Sequence, residues 1–524
     1  MDSDTLQNLI NAAKEAHSDQ RFSDAINFYQ KLTDLLPESP EIFLNLGTIL
    51  KKTGNFKAAR ENYSRALNLR PKFVEALFNL ANLAAEEENY DEAIGLYHKI
   101  LNYSQPTPEL LNNLAIVFLK TGRLENAISK AQESIKLRPN FVDGLTTLGN
   151  TFQRSGNLVA AEGPLAKAEQ LDQDNPICIF NHGSLLQAIG KREVAMEKYN
   201  RAINLRPNYI EAHVKRAALK IANGNLTAGF SEFEWRAQWS KNHPFFKRLK
   251  MANIPAWSND KLHKKNILIW NDQGYGDIIQ CSRFIFDLLN QENQVILEAE
   301  KPIVSLLKTI KGVKSVISAD ELLPDADIAV PYMSLPHLLN INLSNLKNTG
   351  PYLIPPSNHI KKWVGLLGPK TSLRIGIAWA GNPHQAHDHT RSIPLKFLKP
   401  LLNLTNIHFH SLLIGKNCQG IKNKSTFYDH SQDIKDFSDL AALISLMDLT
   451  ISVCSAPAHL AGAMGAPVWV ALSFDPDGRW LFDRLDSPWY PSAKLFRQPA
   501  PGDWKSVISN MARSLKKFNQ NAQN

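Results

Sequence analysis

Three stretches in the second half of this 524-residue chain combine residue types that can do chemistry. The first is Gln273-Gly274-Tyr275-Gly276-Asp277-Ile278-Ile279-Gln280, where two glycines allow a tight turn and place Asp277 in the first turn of a helix. A carboxylate there either caps the helix or faces a cleft as a base, and spacing alone leaves both open. The second runs Trp379-Ala380-Gly381-Asn382-Pro383-His384 and continues through His387, Asp388 and His389 to Arg391-Ser392-Ile393-Pro394. Its histidines and aspartate match no standard ligand spacing, so no metal is expected. Arg391 is a cation of the kind that grips a diphosphate without a metal. The third, Cys454-Ser455-Ala456-Pro457-Ala458-His459, reads as a strand end, small residues and a helix start with Pro457 at an early position. Its free amides would suit an anion, and an ordinary strand-to-helix turn looks the same.

These loops need strands in front and helices behind. From Lys265 onward short apolar runs alternate with helical patterns. Strands are expected at 266–270, 294–298, near Val316 and Ile328, and at 373–379, 412–414, 449–453 and 468–472. Helices are expected at 277–289, 303–310, 440–446 and 458–464. That alternation predicts two doubly wound lobes, residues 266–356 and 357–524, joined by the proline-rich stretch Pro351 to Pro356. Ligands in such sheets bind beyond the carboxyl ends of the strands, where the three loops fall.

The first half repeats itself. Gly54, Gly122, Gly156, Gly190 and Gly224 share a 34-residue register, with Gln20 and Glu88 at the two remaining positions. A second register holds Ala25, Ala59, Ala93, Ala127, Ala161 and Ala195, then Gly229; a third holds Tyr29, Tyr63, Tyr97, Ala131, Leu165, Tyr199 and Phe233. Pro37, Pro71, Pro139 and Pro207 mark repeat starts. Seven units of two amphipathic helices are expected over about residues 1–240, stacked so that a concave face suits an extended peptide or a partner helix. This pattern resembles the tetratricopeptide repeat. The junction, 241–265, is basic and carries Phe245, Phe246 and Trp257; it is expected to cap the array and dock on the next domain while its lysines stay solvated.

Composition narrows the classes. The chain is 44% hydrophobic and 21% charged, which is globular, and its formal charge is +9. Residues 1–240 hold 27 bases and 28 acids, so the excess lies in the second half, and no nucleic-acid partner is expected. Cys178, Cys281, Cys418 and Cys454 form no close pair, which argues for a reducing, cytoplasmic setting. The N-terminus does not read as a signal peptide, and the apolar run 451–474 is broken by Pro457, His459 and Pro467, so no transmembrane segment is expected.

At the three loops, and at Asp436-Phe437-Ser438-Asp439-Leu440-Ala441, Asp486-Ser487-Pro488-Trp489-Tyr490-Pro491 and Phe496-Arg497-Gln498, the sequence resembles GT-B glycosyltransferases. It is most similar to ADP-heptose lipopolysaccharide heptosyltransferases, and to bacterial proteins that fuse them to tetratricopeptide repeats. The resemblance implies a GT-B fold of two Rossmann-like lobes and metal-independent, inverting transfer from a nucleotide sugar, with no cofactor. It makes Asp277 the general base, with Gly274, Tyr275, Gly276 and Gln280 in the acceptor loop. Arg391, Ser455, Ala456, Pro457, His459, Gly381 and Asn382 would hold the donor phosphates. Those heptosyltransferases carry aspartate where this chain has Cys454, so that role is unfilled and Cys454 reads as a buried small residue. The acceptor is expected to be a protein, flagellin for example, bound on the concave face of the repeats. The alternatives are an inactive tetratricopeptide scaffold and a transferase acting on lipopolysaccharide or another glycan.

Overall fold

The computed structural model describes residues 3–242, 244–257, 262–346, 350–383, 385, 388–414, 421 and 426–523. His384, His387, Cys418 and Lys261 lie outside these, as do the side chains of residues 239–243. The chain forms two compact units, residues 1–185 and 186–524.

The first unit is a stack of antiparallel helix pairs, beginning with Ser3–Ser18 and Phe22–Leu35, then Pro40–Lys52 and Phe56–Leu69. Each 34-residue register has one physical job. Residues 20, 54, 88, 122, 156, 190 and 224 all turn the chain between helices at positive φ, and Gln20 and Glu88 adopt φ 60° there without being glycine. Ala25, Ala59, Ala93, Ala127 and Ala161 are fully buried where the helices cross. Gly149 makes the closest approach in the unit: a Cβ there would stand 2.4 Å from Leu165 Cγ.

The pair pattern continues into the second unit as far as Leu226–Phe233, giving about fourteen helices in all. The compact units therefore divide inside the repeat array, not at its end near residue 240. The junction helix Pro244–Met251 follows. Phe245 stacks on Trp270 with ring centroids 4.4 Å apart, Phe246 meets the same ring edge-on, and Leu249 and Ile254 join them over Leu268, Ile296 and Ala329. The junction aromatics thus cover one face of a sheet.

Two parallel sheets complete this unit. The first comprises β1 (Asn266–Trp270), β2 (Gln294–Ala299), β3 (Ser315–Ser318) and β4 (Ile328–Pro331) in the order β3-β2-β1-β4. The second comprises β5 (Leu373–Ala378), β6 (Ile407–Ser411), β7 (Phe427–Tyr428), β8 (Leu449–Val453), β9 (Val468–Leu472) and β10 (Ala493–Arg497) in the order β10-β9-β8-β5-β6-β7. β1 and β9 are near-continuous apolar runs because both of their faces are covered.

One expected strand is misplaced. The run 412–414 follows β6, whose sequence Ile407-His408-Phe409-His410-Ser411 reads as half polar. His410 is nevertheless buried, stacked on Tyr428 and on His430, whose Nε2 lies 3.0 Å from His410 Nδ1. A cross-strand partner turns a polar-looking residue into core, and periodicity cannot see it.

Candidate functional site

The loop after β1 leads into the helix Tyr275–Cys281. Asp277 Oδ2 accepts the backbone N–H of Gly274 at 3.0 Å, which is half of a capping box; the glycine has no side chain to return the bond. The other oxygen, Oδ1, accepts from Arg479 Nη2 at 2.5 Å. The carboxylate is both a cap and one half of an ion pair, and its side chain keeps 18% exposure. Gln280, buried one turn on, accepts from Arg479 Nη1 at 2.7 Å.

Arg479 and Asp477 are the residues that sequence reasoning missed. They follow β9, outside all three loops, in a stretch whose only signal was Asp477-Gly478-Arg479 after a strand end. Arg479 Nε and Nη2 donate to the two oxygens of Asp477 at 2.9 and 3.1 Å. Desolvation at the site pushes the Asp477 carboxyl up, but the adjoining guanidinium outweighs it and holds the group at about 2. Burial works against the charge of Arg479 as well, and Asp477 and Asp277 together keep it firmly protonated.

The second and third loops meet at Arg391. Its Nε donates to buried Asp388 at 2.9 Å and its Nη1 to the Cys454 carbonyl at 3.2 Å. Asp388 also accepts from Ser392 Oγ at 2.8 Å, and Ser392 Oγ accepts from Gly381 N at 3.1 Å. Gly381 lies under the guanidinium, since a Cβ there would stand 2.3 Å from Arg391 Nη2. Asn382 is exposed on the same loop. Asp388 is thus committed to Arg391 and Ser392 and does not stand free as a metal ligand.

The helix Ala456–Ala463 begins where expected, with extended Ser455 as its cap residue and Pro457 in its first turn. Ser455 Oγ lies 3.2 Å from Ser452 Oγ. His459 is buried, bonds Tyr490 OH through Nδ1 at 2.9 Å and stacks on Trp480. Burial, then the charge of Arg479, holds its imidazole well below the usual histidine range, so it is neutral. Its ring lies on Gly276, where a Cβ would come within 2.9 Å of Cδ2. His459 therefore forms a wall between two helices instead of presenting a charge to a phosphate, and Gly276, not Gly274, is the glycine that close approach requires. Cys454 Sγ accepts from Trp480 Nε1 at 3.0 Å, and burial pushes its thiol up to about 11, so it is a neutral group.

The first loop is thus tied to the third through Gly276 and His459, and the second to the third through Arg391 and Cys454. Tyr275 bonds Glu300 and packs against Phe437, with ring centroids 4.7 Å apart. Behind β1, Asp272 accepts from Arg236 Nε at 2.9 Å, while Arg236 Nη1 reaches Glu234 at 2.6 Å and Nη2 reaches Ser334 at 2.9 Å. Arg236 is 1% exposed; burial opposes its charge and the two carboxylates sustain it.

Among the described residues, one group could in principle take a metal, His359 with Asp436 and Asp439. Asp439 is instead engaged by Lys362 Nζ at 2.8 Å and Trp363 Nε1 at 3.1 Å, and Asp436 caps the following helix through Asp439 N at 2.8 Å. These carboxylates already have structural work, and Lys362 supplies the positive charge.

Comparison with known proteins bears on the repeats. The family model for the tetratricopeptide repeat matches residues 44–109 and 88–140, so the chain carries such repeats. Protein FlbA of Caulobacter vibrioides is 22% identical over 453 residues, covering 73% of this chain and 74% of FlbA. Among solved structures, a tetratricopeptide repeat protein from Parabacteroides merdae is 18% identical with a TM-score of 0.42, covering 47% of this chain and 98% of that one. YrrB, described as a TPR protein with an unusual peptide-binding site, is 23% identical with a TM-score of 0.30, covering 36% and 97%. Among the described residues no helix is long and apolar enough to cross a membrane.

Proposed function

We propose that residues 266–524 form a GT-B glycosyltransferase that moves a sugar from a nucleotide-diphosphate donor to an acceptor recruited by the repeats. One observation supports this reading: the loop after β1, which carries Asp277, lies against the helix Ala456–Ala463 through Gly276 and His459, and Arg391 reaches the Cys454 carbonyl just before that helix. Inverting displacement needs a base on one side of the anomeric carbon and an anion site for the departing diphosphate on the other. Asp277 would take the proton of the acceptor hydroxyl. Each of its oxygens has one protein donor, and a carboxylate oxygen can accept a second hydrogen bond from an acceptor. Arg391 and the Ala456 amide would receive the diphosphate, since Pro457 has no N–H and the Ala458 and His459 amides donate to the Ser455 carbonyl, and the cation supplies the charge a metal would otherwise bring. The neutral Cys454 thiol does not replace the aspartate of the resembled family, so donor identity need not follow that family. By the same chemistry the repeats would present the acceptor, and a protein such as flagellin is a suitable class.

A second reading, a repeat scaffold without catalysis, is favoured by the fact that Asp277 and Arg391 are each already paired with a protein partner, Arg479 and Asp388. Titration calorimetry of the full chain with ADP, UDP, GDP and CDP separates the two. The transferase reading expects at least one to bind, with Arg391→Met weakening it about tenfold or more. Binding of none supports the scaffold. Mass spectrometry of glycoproteins and glycolipids with and without the gene then identifies the acceptor.

A further inference from the structure

We propose that residues 473–482 are a strap that the end of the repeat array holds against the site, so that the helices after Leu186 act as positioning elements for Asp277. That Asp277 is the reacting group rests on the transferase reading; the mechanical link does not.

The outer side of the strap is gripped by repeat residues at both ends and in the middle. Gln187 Nε2 donates to both oxygens of Asp475, at 3.2 and 3.0 Å, while its Oε1 accepts from Tyr199 OH at 2.9 Å. Gly190 turns at φ 85° against Phe474, whose ring would lie 2.9 Å from a Cβ. Gly478 sits on the backbone of the helix Ile210–Ala222, where a Cβ would stand 2.5 Å from the Ala218 carbonyl oxygen. At the far end Phe482 N–H donates to Ala222 O at 2.9 Å, and the Arg192 guanidinium lies 3.6 Å over the Phe482 ring.

The inner side faces the site. Arg479, the residue after Gly478, reaches Asp277 and Gln280, and Trp480 bonds Cys454 and stacks on His459. Apart from the turn Gly478–Trp480 the strap has no regular structure of its own; Leu481 within it and Asp483 just beyond it are non-glycine residues at positive φ. A backbone in that state holds its shape only when surrounding contacts over-determine it. The repeats supply the outer contacts, and Arg497 Nη2 to the Trp480 and Leu481 carbonyls, Trp489 Nε1 to the Arg479 carbonyl and Phe474 N–H to Gln498 Oε1 supply others from the second sheet's side.

The test is hydrogen–deuterium exchange with mass spectrometry on the full chain, comparing the unaltered protein with Gln187→Leu, Gly478→Ala and Arg479→Met. Each variant should raise exchange about tenfold or more in peptides covering both 473–482 and 271–281, leaving those of β2 unchanged. Faster exchange in 473–482 with 271–281 unaltered would overturn the proposal, as would no change in either. Arg192→Ala serves the same comparison if Gly478→Ala does not fold, and Arg479→Lys should restore part of the protection. No sugar nucleotide enters this measurement. Failure to bind any nucleotide would therefore sink the transferase reading and leave the strap standing.

Discussion

Ala25, Ala59, Ala93 and Ala127 do one job at four places, whereas Asp277 and Arg479 do one job once, across 202 residues of sequence. In residues 3–185 a role recurs every 34 positions and each repeat leans on its neighbours, so the loss of one contact is a local event. In the α/β region a side chain is held by partners from several distant segments, and each is unique. Stability can therefore be spread along the first unit, while the site depends on a few irreplaceable pairs.

The largest effect is expected from Asp277→Asn in the full chain. With the transferase reading, transfer should fall by roughly 10²-fold or more, the usual worth of a general base, while the repeats keep their unfolding transition. Wild-type transfer by a correctly folded variant, measured by product formation once the donor is identified, would remove Asp277 from the mechanism. Next comes Arg236→Met, which strands the buried carboxylate of Asp272 and takes the cation from partly exposed Glu234. Removing one partner of a buried pair costs about 3–5 kcal/mol, and calorimetry should show the transition of residues 186–524 lowered with that of residues 3–185 in place. Both transitions moving together would mean that the two units unfold as one.

The same contrast explains what could be read in advance. The repeat registers were legible because recurrence separates a role from chance, and β1 and β9 because a doubly covered strand is a plain apolar run. Asp277, Arg391 and Pro457 were legible as loop residues after strands. The pairing of Asp277 with Arg479 was not, because nothing near either residue announces the other. His410 failed for the same reason, since His430 makes it core. His459 was placed in the right loop, but its burial depends on Gly276, Trp480 and Tyr490, which only the folded chain assembles.

Acid should also find the α/β region first. Burial pushes His410 down to about 3, with His430, Arg374 and His408 adding to it, and burial lowers His430 and His459 in the same direction. The unfolded chain accepts these protons from about pH 6.5 downward. The fold refuses the His410 proton until about pH 3, so its contribution is present above pH 6.5 and is lost as pH falls toward 3, and His430 and His459 act in the same sense. The slope for a single such group is about 1.4 kcal/mol per pH unit at most. Unfolding midpoints of residues 186–524, measured from pH 7 to 4.5, should drop more steeply than those of the first unit. His410→Leu should flatten that drop, and an unchanged slope would show that His410 is not among its sources.

The smallest effect tests the repeat side of the comparison. Glu88 occupies the glycine position of its repeat, exposed and at φ 60°, so it carries the steric cost of left-handed backbone that Gly54 and Gly122 avoid. Glu88→Gly removes that cost, roughly 1–2 kcal/mol, and adds unfolded-state freedom of about 0.5–1 kcal/mol, for a net gain of roughly 0.5–1 kcal/mol. Gly122→Ala should lose about the same amount. Because the two positions are related by one repeat, the double variant should return near the starting stability if contributions along the array add. Equilibrium denaturation of the first unit measures all three, and a gain confined to Gly122→Ala would mean that the register is set by something other than the turn.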